Sequence, residues 1–326
     1  MLSEPQEMRE KILFEPVSHG ADRLRIISGY SAHTMASWHM AELEERFGQT
    51  VDIDLTVGMC CRDMLFRPVH EGFREIMSGT PSFTCKYIVE GSPVHTKLYL
   101  WEKDRKPFKA YTGSANYTQP AFFGRNREAM TECDPDEASE YLDGLEPCSM
   151  YCTHAEVEEH IIITDRPQRL IVPGAENGKL SAVSIQGLGV SKAKIPLIDK
   201  KTGQVPPRSG LNWGQRDGRE HNQAYLSVPS ETARTDFFPE RGIYFTALTD
   251  DGISLTLNRG QDNGKGITTP LNNSSLGEYF RRRLGLANGA FVTRQDLDRY
   301  GRTDVVFWKL DDEQYFMDFS RPEGGD

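Results

Sequence analysis

The sequence has few cysteines and no long apolar run, and these absences exclude several classes of protein. Six of its 326 residues are cysteines, all in the first half of the chain, unlike the dense disulfide framework of a small secreted domain. We therefore interpret them as reduced thiols. Apolar stretches stay short of the ~20 residues that span a bilayer, and residues 1–14 lack the basic start and apolar run of a secretory signal. The sequence predicts a cytoplasmic protein without a membrane partner.

Patterns for binding metals or nucleotides are also missing. Cys148, Cys152 and His154 could in principle hold zinc, but a fourth ligand at a regular spacing is absent. Buried or incidental cysteines are the preferred interpretation. The chain has no Gly-x4-Gly-Lys-Ser/Thr loop that would cradle a nucleotide phosphate. Any ATP dependence must therefore come from another chain.

An overall excess of positive charge is lacking, although basic residues are concentrated in one part of the second half. The net charge of −10 argues superficially against a polyanionic partner. However, residues 1–170 hold 28 acidic and 18 basic side chains, whereas residues 171–326 hold 20 of each. Between residues 191 and 219, Lys and Arg side chains are opposed only by Asp199 and Asp217. Such a local basic surface is sufficient for DNA binding.

Length and hydrophobic patterning predict two domains of different fold class. A chain of 326 residues exceeds the usual size of a single core. In the first 130 residues strand-like and helix-like segments alternate, which predicts a layered α/β domain with a mixed sheet. After Pro173 and Gly174, short strands punctuated by Gly, Pro and Asn predict a mainly β barrel or sandwich. We place the two domains at residues 1–175 and 176–326.

The individual elements follow from the periodicity of apolar residues. In the first domain we predict strands at residues 24–28, 51–57, 84–89, 97–101 and 108–112, helices at 32–47 and 64–77, and surface helix with connections in the acidic stretch 131–159. In the second domain we predict strands at residues 182–185, 193–197, 224–228, 243–248, 254–257 and 305–310, and helices at 276–284 and 294–300.

Five polar residues in three short segments form the strongest chemical signal. His95 and Lys97 open one predicted strand at alternate positions, so both side chains lie on the same face. Ser114 and Asn116 end the next extended segment with the same spacing. Further along, Glu128 supplies a carboxylate that could hydrogen-bond an imidazole and select its tautomer. The set contains a nucleophile, donors for an anion and an orienting group.

This order and spacing, His95-x-Lys97, Gly113-Ser114-x-Asn116 and then Glu128, resembles the single motif of the phospholipase D superfamily. Nearly the whole chain resembles restriction endonucleases of the NgoFVII type. In these enzymes a phospholipase D-like nuclease domain precedes a DNA-binding pseudobarrel like that of plant transcription factors. The resemblance implies a nuclease acting on double-stranded DNA.

The resemblance also implies a mechanism and an assembly. In that superfamily one histidine attacks phosphorus to form a phosphohistidine, while a second protonates the leaving oxygen. Because this chain has one motif, the resemblance implies a homodimer, joined through the N-terminal domain, in which two His95 side chains share one site. Two such imidazoles would titrate as a coupled pair and give a bell-shaped pH dependence.

The cofactors and further partners implied by the resemblance are few. Lys97, Ser114 and Asn116 of each copy would stabilise the developing charge in place of Mg²⁺, so cleavage would need no metal. ATP and Mg²⁺ would be required only if a separate helicase-like partner takes part. A cognate DNA methyltransferase is the other partner that the resemblance suggests.

Two polar segments of the second domain are candidates for reading DNA. Residues 209–225 and 258–266 are rich in Asn, Gln, Arg and Gly, and the first three pair with purine edges. In the resembled pseudobarrel two arms embrace DNA, and these segments lie where the arms are expected. The predicted DNA-binding residues are Asn212, Gln215, Arg216, Arg219, Gln223, Gln261, Asn263 and Lys265.

Less specific interpretations of the same residues stay open. The two segments could be polar surface loops, and Trp213 and Tyr225 are more often packing residues than base contacts. The run Arg281-Arg282-Arg283 could contact phosphates or form a solvated helix face.

Three alternative functions remain beside the preferred one, a site-specific, metal-independent restriction endonuclease. A phospholipase would share the catalytic motif, but the chain lacks an amphipathic membrane-binding stretch, and the second domain would be unexplained. A non-catalytic DNA-binding regulator would not need the intact set of five residues. A non-specific nuclease would recognise only the backbone, and would digest a plasmid to a smear instead of discrete fragments.

Overall fold

The computed structural model describes residues 1–165, 185–186, 189–260 and 264–321. The chain divides into two compact units, Met1–Pro173 and Gly174–Asp326, and we describe each by itself. Most of the strand predicted at residues 182–185 lies outside the described residues, as do the predicted DNA contacts Gln261 and Asn263.

The first unit is built on a mixed sheet. Its strands are β1 (Arg23–Ser28), β2 (Asp52–Val57), β4 (Phe83–Ile88), β5 (Lys97–Lys103), β6 (Lys106–Gly113), β7 (Met130–Cys133) and β8 (Ser149–Tyr151), and a separate pair contains β3 (Leu65–Phe66) and β9 (Ile163–Thr164). The order in the large sheet is β7-β6-β5-β1-β2-β4-β8. Strands β1, β2 and β4 are parallel, and the others run antiparallel to their neighbours. The predicted α/β domain with a mixed sheet is confirmed.

Helices cover the sheet and supply much of the core. They are Pro5–Met8, a π-helical segment Arg9–Phe14, Glu15–Ser18, His33–Phe47, Arg67–Gly79, Gln119–Phe122, Pro135–Leu145 and Val157–His160, with a 3-10 turn at Glu146–Cys148. In β1, Leu24, Ile26 and Ile27 are all buried, as expected of a central strand that is covered on both faces.

The acidic stretch at residues 131–159 differs from the prediction, because β7 and β8 form there in addition to a helix. The helix Pro135–Leu145 begins where Asp134 accepts hydrogen bonds from Asp136 N and Glu137 N at 2.9 and 3.0 Å. An aspartate before a proline and two further acids is a strong helix start. The strands are too short for a period-two pattern to be recognised.

The topology gathers several chain segments at one edge of the sheet. The parallel strands β1 and β2 end there, and the antiparallel strand β5 begins there, since Ser28 pairs with Lys97. Strand β6 ends and β7 begins at the same edge, where Gly113 pairs with Met130. The predicted polar residues follow or precede these strand ends, so the fold collects them at this edge.

The second unit is a nearly closed, strand-rich barrel. Its strands are β10 (Lys192–Pro196), β11 (Leu226–Ser227), β12 (Tyr244–Thr249), β13 (Ser254–Gly260), β14 (Gly266–Thr268), β15 (Asp304–Lys309) and β16 (Gln314–Asp318), in the order β10-β15-β16-β12-β13-β14-β11. The end strands β10 and β11 lie beside each other. Its helices are Ser230–Ala233, Ser275–Leu284 and Arg294–Tyr300, with a 3-10 segment at Gly210–Gln215.

Aromatic side chains fill the barrel. Phe245 and Tyr315 have ring centroids 4.9 Å apart, and Phe238 packs edge-on against Phe307 at 5.2 Å. All four are buried. The predicted mainly β pseudobarrel is confirmed, although the strand predicted at residues 224–228 is reduced to Leu226–Ser227.

Within the described residues, none of the helices combines the length and the apolar character needed to cross a membrane.

Candidate active site

The five residues of the sequence motif lie together at the sheet edge. Lys97 is the first residue of β5, and His95 lies just before it. Ser114 and Asn116 follow β6, and Glu128 precedes β7. Three backbone segments, each anchored by a neighbouring strand, therefore carry the candidate site.

The loop before His95 is held by backbone hydrogen bonds that extend the sheet past its strand ends. Gly58 N donates to Ser28 O, and Val94 N donates to Gly58 O, both at 2.9 Å. Gly29 lies against the imidazole itself, since a β-carbon at this position would come within 2.8 Å of His95 Cδ2. The ring is exposed to solvent, while its backbone is fixed.

Lys97 lies beneath the imidazole and is 5% exposed. Its Nζ donates to His95 O at 2.7 Å and lies 3.1 Å from Nδ1 and 3.0 Å from Nε2 of the same ring. Because the ammonium is nearly equidistant from both nitrogens, it contacts the ring between them and not along a single lone pair. Burial lowers the pKa of Lys97, and the Glu128 carboxylate opposes this shift. A poorly solvated cation is a strong partner for an anion.

Glu128 and Ser114 form a pair of their own. The Ser114 hydroxyl donates to Glu128 Oε2 and accepts from Ala129 N at 3.0 Å. The predicted contact of Glu128 with the imidazole is absent, since among the described residues the ring nitrogens of His95 contact Lys97. The serine hydroxyl takes the position next to the carboxylate, because it is tied to the backbone that leads from Glu128 into β7.

The side-chain amide of Asn116 is held through its oxygen, which leaves its N–H groups available. Its Oδ1 accepts from Tyr30 N at 3.1 Å and lies 3.3 Å from Ser28 Oγ. A backbone N–H can only donate, so the atom facing Tyr30 must be the amide oxygen. Its Nδ2 has no hydrogen-bond partner within the part of the chain that the structure describes, and two N–H donors are left for a ligand.

Gly113 allows the segment after β6 to approach β7 closely. A β-carbon at this position would come within 2.1 Å of Ala129 O. Ser114 N also donates to Ala129 O at 3.0 Å. The glycine of the motif therefore brings Ser114 up to the strand that Glu128 precedes.

Sequence reasoning missed two residues at this edge, Tyr30 and Asp63. Tyr30 follows β1, and its ring packs edge-on against His95 with centroids 5.7 Å apart. Its hydroxyl donates to Asp63 Oδ2 in the turn after β2. The available signal was their position in the loops that follow two parallel strands, where functional side chains often lie.

The arrangement is suited to binding a tetrahedral anion next to an exposed imidazole. A buried ammonium, an amide with free N–H groups and a hydroxyl all lie at the same edge as His95. Preorganised donors of this kind stabilise charge that develops during a reaction. Among the described residues, no group of three or more His, Cys, Asp and Glu is arranged to hold a metal ion.

In the second unit, Asn212 is completely buried and has a structural role. Its Nδ2 donates to Val292 O at 2.8 Å and to Pro206 O at 3.2 Å, and its Oδ1 accepts from Val292 N at 2.8 Å. Both N–H groups and the oxygen of this buried amide are engaged inside the unit, so the predicted DNA contact is withdrawn for this residue. The composition of the segment does not distinguish an inward from an outward asparagine.

The other predicted DNA contacts in residues 209–225 are at least partly accessible. Arg219 lies over the Trp213 ring at 3.9 Å and donates to Gln223 Oε1 at 2.9 Å. Gln215 donates to His221 O and Gly289 O at 3.3 and 3.0 Å, which holds it against the unit. Arg216 is exposed and donates to Arg208 O at 2.7 Å.

The predicted contact Lys265 lies at a large cavity of about 570 Å³. Basic and hydroxyl side chains from three segments line it, including Lys200, Lys201, Ser209 and Ser230. Lys265 Nζ contacts Ser230 Oγ at 3.0 Å. The cavity therefore lies between the basic segment after β10 and the helix Ser230–Ala233.

The run Arg281-Arg282-Arg283 lies in the helix Ser275–Leu284. For two of the three arginines the structure contradicts both predictions, a phosphate contact and a solvated helix face. Arg281 is completely buried. Arg283 donates to Asp250, to Tyr300 and to Phe319 O. Arg282 alone is exposed, and it pairs with Asp251. Neighbouring arginines on a helix point in different directions, so a charge run on the sequence separates into interior and surface residues.

Comparison with known proteins gives the class that this architecture represents. Residues 6–159 match the family model described as NgoFVII restriction endonuclease N-terminal PLD domain. Residues 188–311 match the model described as NgoFVII C-terminal B3-like DNA-binding domain. The fold and the matches define a phospholipase D-type nuclease domain joined to a DNA-binding domain.

The two matches together cover most of the chain. The chain belongs to the NgoFVII restriction endonuclease family.

Other comparisons add little. No curated protein matches the sequence. Among solved structures, the polyphosphate kinase from Porphyromonas gingivalis is similar at 15% identity with a TM-score of 0.28, over 44% of this chain and 20% of the kinase chain. We draw no argument from so distant a likeness.

Proposed function

We propose that this protein is a site-specific restriction endonuclease that hydrolyses DNA phosphodiesters through a covalent phosphohistidine on His95. The observation that carries the proposal is the exposed His95 ring, which lies against the buried Lys97 ammonium beside the free amide donors of Asn116. An exposed nucleophile with fixed anion donors meets the geometric demands of phosphoryl transfer.

In the first step His95 attacks the phosphorus atom. A nitrogen–phosphorus bond forms while the bond between phosphorus and the leaving deoxyribose oxygen breaks. The Lys97 ammonium and the N–H donors of Asn116 stabilise the charge that develops on the two non-bridging oxygens. The leaving oxygen takes a proton from His95 of a second copy. In the second step that histidine accepts a proton from water, the water oxygen bonds to phosphorus, and the nitrogen–phosphorus bond breaks.

The second histidine in this scheme comes from a homodimer that forms through the N-terminal unit. Exposure of His95 supports this arrangement, because an imidazole on the surface is accessible to its symmetry mate. One ring must be neutral to attack while the other is protonated to donate, so cleavage has a bell-shaped pH dependence. In this scheme cleavage requires no metal, because cationic and amide side chains stabilise the charge.

The C-terminal unit selects the cutting site. The surface formed by Arg216, Arg219 and Gln223, and the cavity with Lys200, Lys201 and Lys265, offer the mixture of cations and amides that DNA recognition uses. ATP and Mg²⁺ enter only through a separate helicase-like partner. A methyltransferase that protects the host sequence would complete a restriction-modification system.

The experiment is plasmid digestion by purified wild-type protein and His95→Ala, with gel-shift binding on the same DNA. We expect discrete fragments from the wild type, no cleavage by the variant, and unchanged site-specific binding. Cleavage by pure His95→Ala would reject the nucleophile. A smear from the wild type would favour a non-specific nuclease, and specific binding without cleavage by the wild type would favour a DNA-binding regulator.

A further inference from the structure

Tyr30 contacts both His95 and Asn116 in the candidate site. Its ring packs edge-on against His95, with centroids 5.7 Å apart and an angle of 76° between the ring planes. Its backbone N–H donates to Asn116 Oδ1 at 3.1 Å. A single residue therefore contacts the imidazole with its side chain and orients the amide with its main chain.

The tyrosine is itself anchored from the neighbouring strand end. Its hydroxyl donates to Asp63 Oδ2, and Asp63 is fixed because its backbone N donates to Met59 O at 2.8 Å. Met59 N in turn donates to Gly29 O at 3.2 Å. The loops after β1 and β2 are thus connected twice, through their main chains and through this side-chain pair.

The anchor persists at neutral pH. The hydrogen bond to Asp63, followed by burial and the Asp63 charge, raises the pKa of Tyr30. The phenol therefore stays protonated and donates to the Asp63 carboxylate. A hydrogen bond to a charged acceptor is stronger than one between neutral groups.

We propose that Tyr30, held by Asp63, is a positioning residue that keeps the His95 ring in line with the scissile phosphate. The proposal rests on the function proposed above. Tyr30 is 40% exposed, so its anchoring is not needed to fill the interior. A nucleophile displaced by about 1 Å loses on the order of a hundredfold in rate.

The test is a set of variants in the full-length protein: Tyr30→Ala, Tyr30→Phe, Asp63→Asn and the double variant Tyr30→Phe/Asp63→Asn. Cleavage of a plasmid that the wild type cuts is measured under single-turnover conditions. For Tyr30→Ala we expect the maximal rate to fall roughly 10- to 100-fold, while the half-saturating DNA concentration stays within about twofold.

The smaller changes test how Tyr30 acts. Tyr30→Phe keeps the ring contact and should restore most of the rate lost in Tyr30→Ala. Because the hydroxyl acts through Asp63, the double variant should be no slower than the slower single variant. Tyr151→Ala, which removes a tyrosine of similar exposure on β8, should cleave at the wild-type rate.

The outcomes separate this inference from the proposed function. A higher half-saturating concentration with an unchanged maximal rate would mean that Tyr30 only binds DNA, and would overturn the inference. Fully multiplicative effects of Tyr30→Phe and Asp63→Asn would also contradict it. If His95→Ala is inactive and every Tyr30 variant is as fast as the wild type, this inference fails alone. If His95→Ala still cleaves, the proposed function fails first.

Discussion

Replacement of Arg281 by methionine should unfold the C-terminal unit at a much lower temperature without changing how it binds DNA. The guanidinium is completely buried and donates from Nε to Ala290 O at 2.8 Å. It also donates to Leu211 O and His221 O at 3.2 and 3.1 Å. Ala290 follows the arginine's own helix, whereas Leu211 and His221 belong to the polar segment 209–225. Methionine fills much of the same volume but donates nothing.

The loss in free energy of unfolding is estimated from the carbonyl acceptors that lose their hydrogen bonds to Arg281. A buried polar group without a partner costs about 1–3 kcal/mol. His221 O keeps its hydrogen bond from Gln215 Nε2, so the loss falls on Ala290 O and Leu211 O. The expected destabilisation is about 3–5 kcal/mol, the range for breaking a buried charged network. For a unit of this size, 1 kcal/mol corresponds to roughly 2–4 °C in Tm, so a decrease of about 6–20 °C is expected.

The assay is thermal unfolding of the full chain, with Arg282→Met as the matched control. Arg282 is the next residue, and its exposed side chain pairs with Asp251 at 2.7 Å. Exposed ion pairs contribute about 0–1 kcal/mol, so the control should change Tm by a few degrees at most. The salt dependence of DNA affinity, measured below both transitions, should be the same for Arg281→Met and the wild type.

Two results together would refute this reasoning. The first is a Tm for Arg281→Met equal to that of Arg282→Met. The second is a salt slope reduced by about one, which is the signature of a lost phosphate contact. That combination would mean that Arg281 faces DNA and that the buried network is incorrect.

Three further predictions concern separate parts of the chain. Asn212→Asp should lower the free energy of unfolding, measured by urea denaturation, by about 2–4 kcal/mol, because the buried carboxylate cannot donate to Val292 O. Stability equal to that of the wild type would contradict the structural role of Asn212. Arg219→Ala should weaken DNA binding and reduce the salt slope by about one, whereas unchanged binding would leave Arg219 as a surface partner of Trp213. Plasmid cleavage by the purified protein should persist in excess EDTA, and its loss with recovery on adding Mg²⁺ would reject the metal-independent scheme.

Much of the fold could be predicted because the central strands have strong local patterns. The apolar residues of β1 are buried on both faces, and the helix Arg294–Tyr300 has the predicted bounds, with a capping box of Thr293 and Asp296. Short strands such as β7, β8 and β14 could not be predicted. Their residues alone carry no distinctive period, and they form by pairing with strands that come from elsewhere in the chain.

In the candidate site, too, some features could be predicted from the sequence and others could not. Its five polar residues could be found from spacing, because alternate positions on a strand share a face. The hydrogen-bond partner of Glu128 could not be predicted from spacing. The choice between Ser114 and an imidazole depends on how closely Gly113 approaches β7. Composition likewise failed for the DNA-reading surface, where buried Asn212 and accessible Arg219 occur in one polar segment.

The most direct test of the central claim uses a dimer that contains one wild-type copy and one His95→Ala copy, isolated with two different affinity tags. If both His95 side chains act on one phosphate, this mixed dimer should cleave less than a hundredth as fast as the wild-type dimer, because general acid catalysis contributes about 10²–10⁴-fold. A mixed dimer with half of the wild-type rate would mean that each copy cleaves alone, and would contradict the shared site.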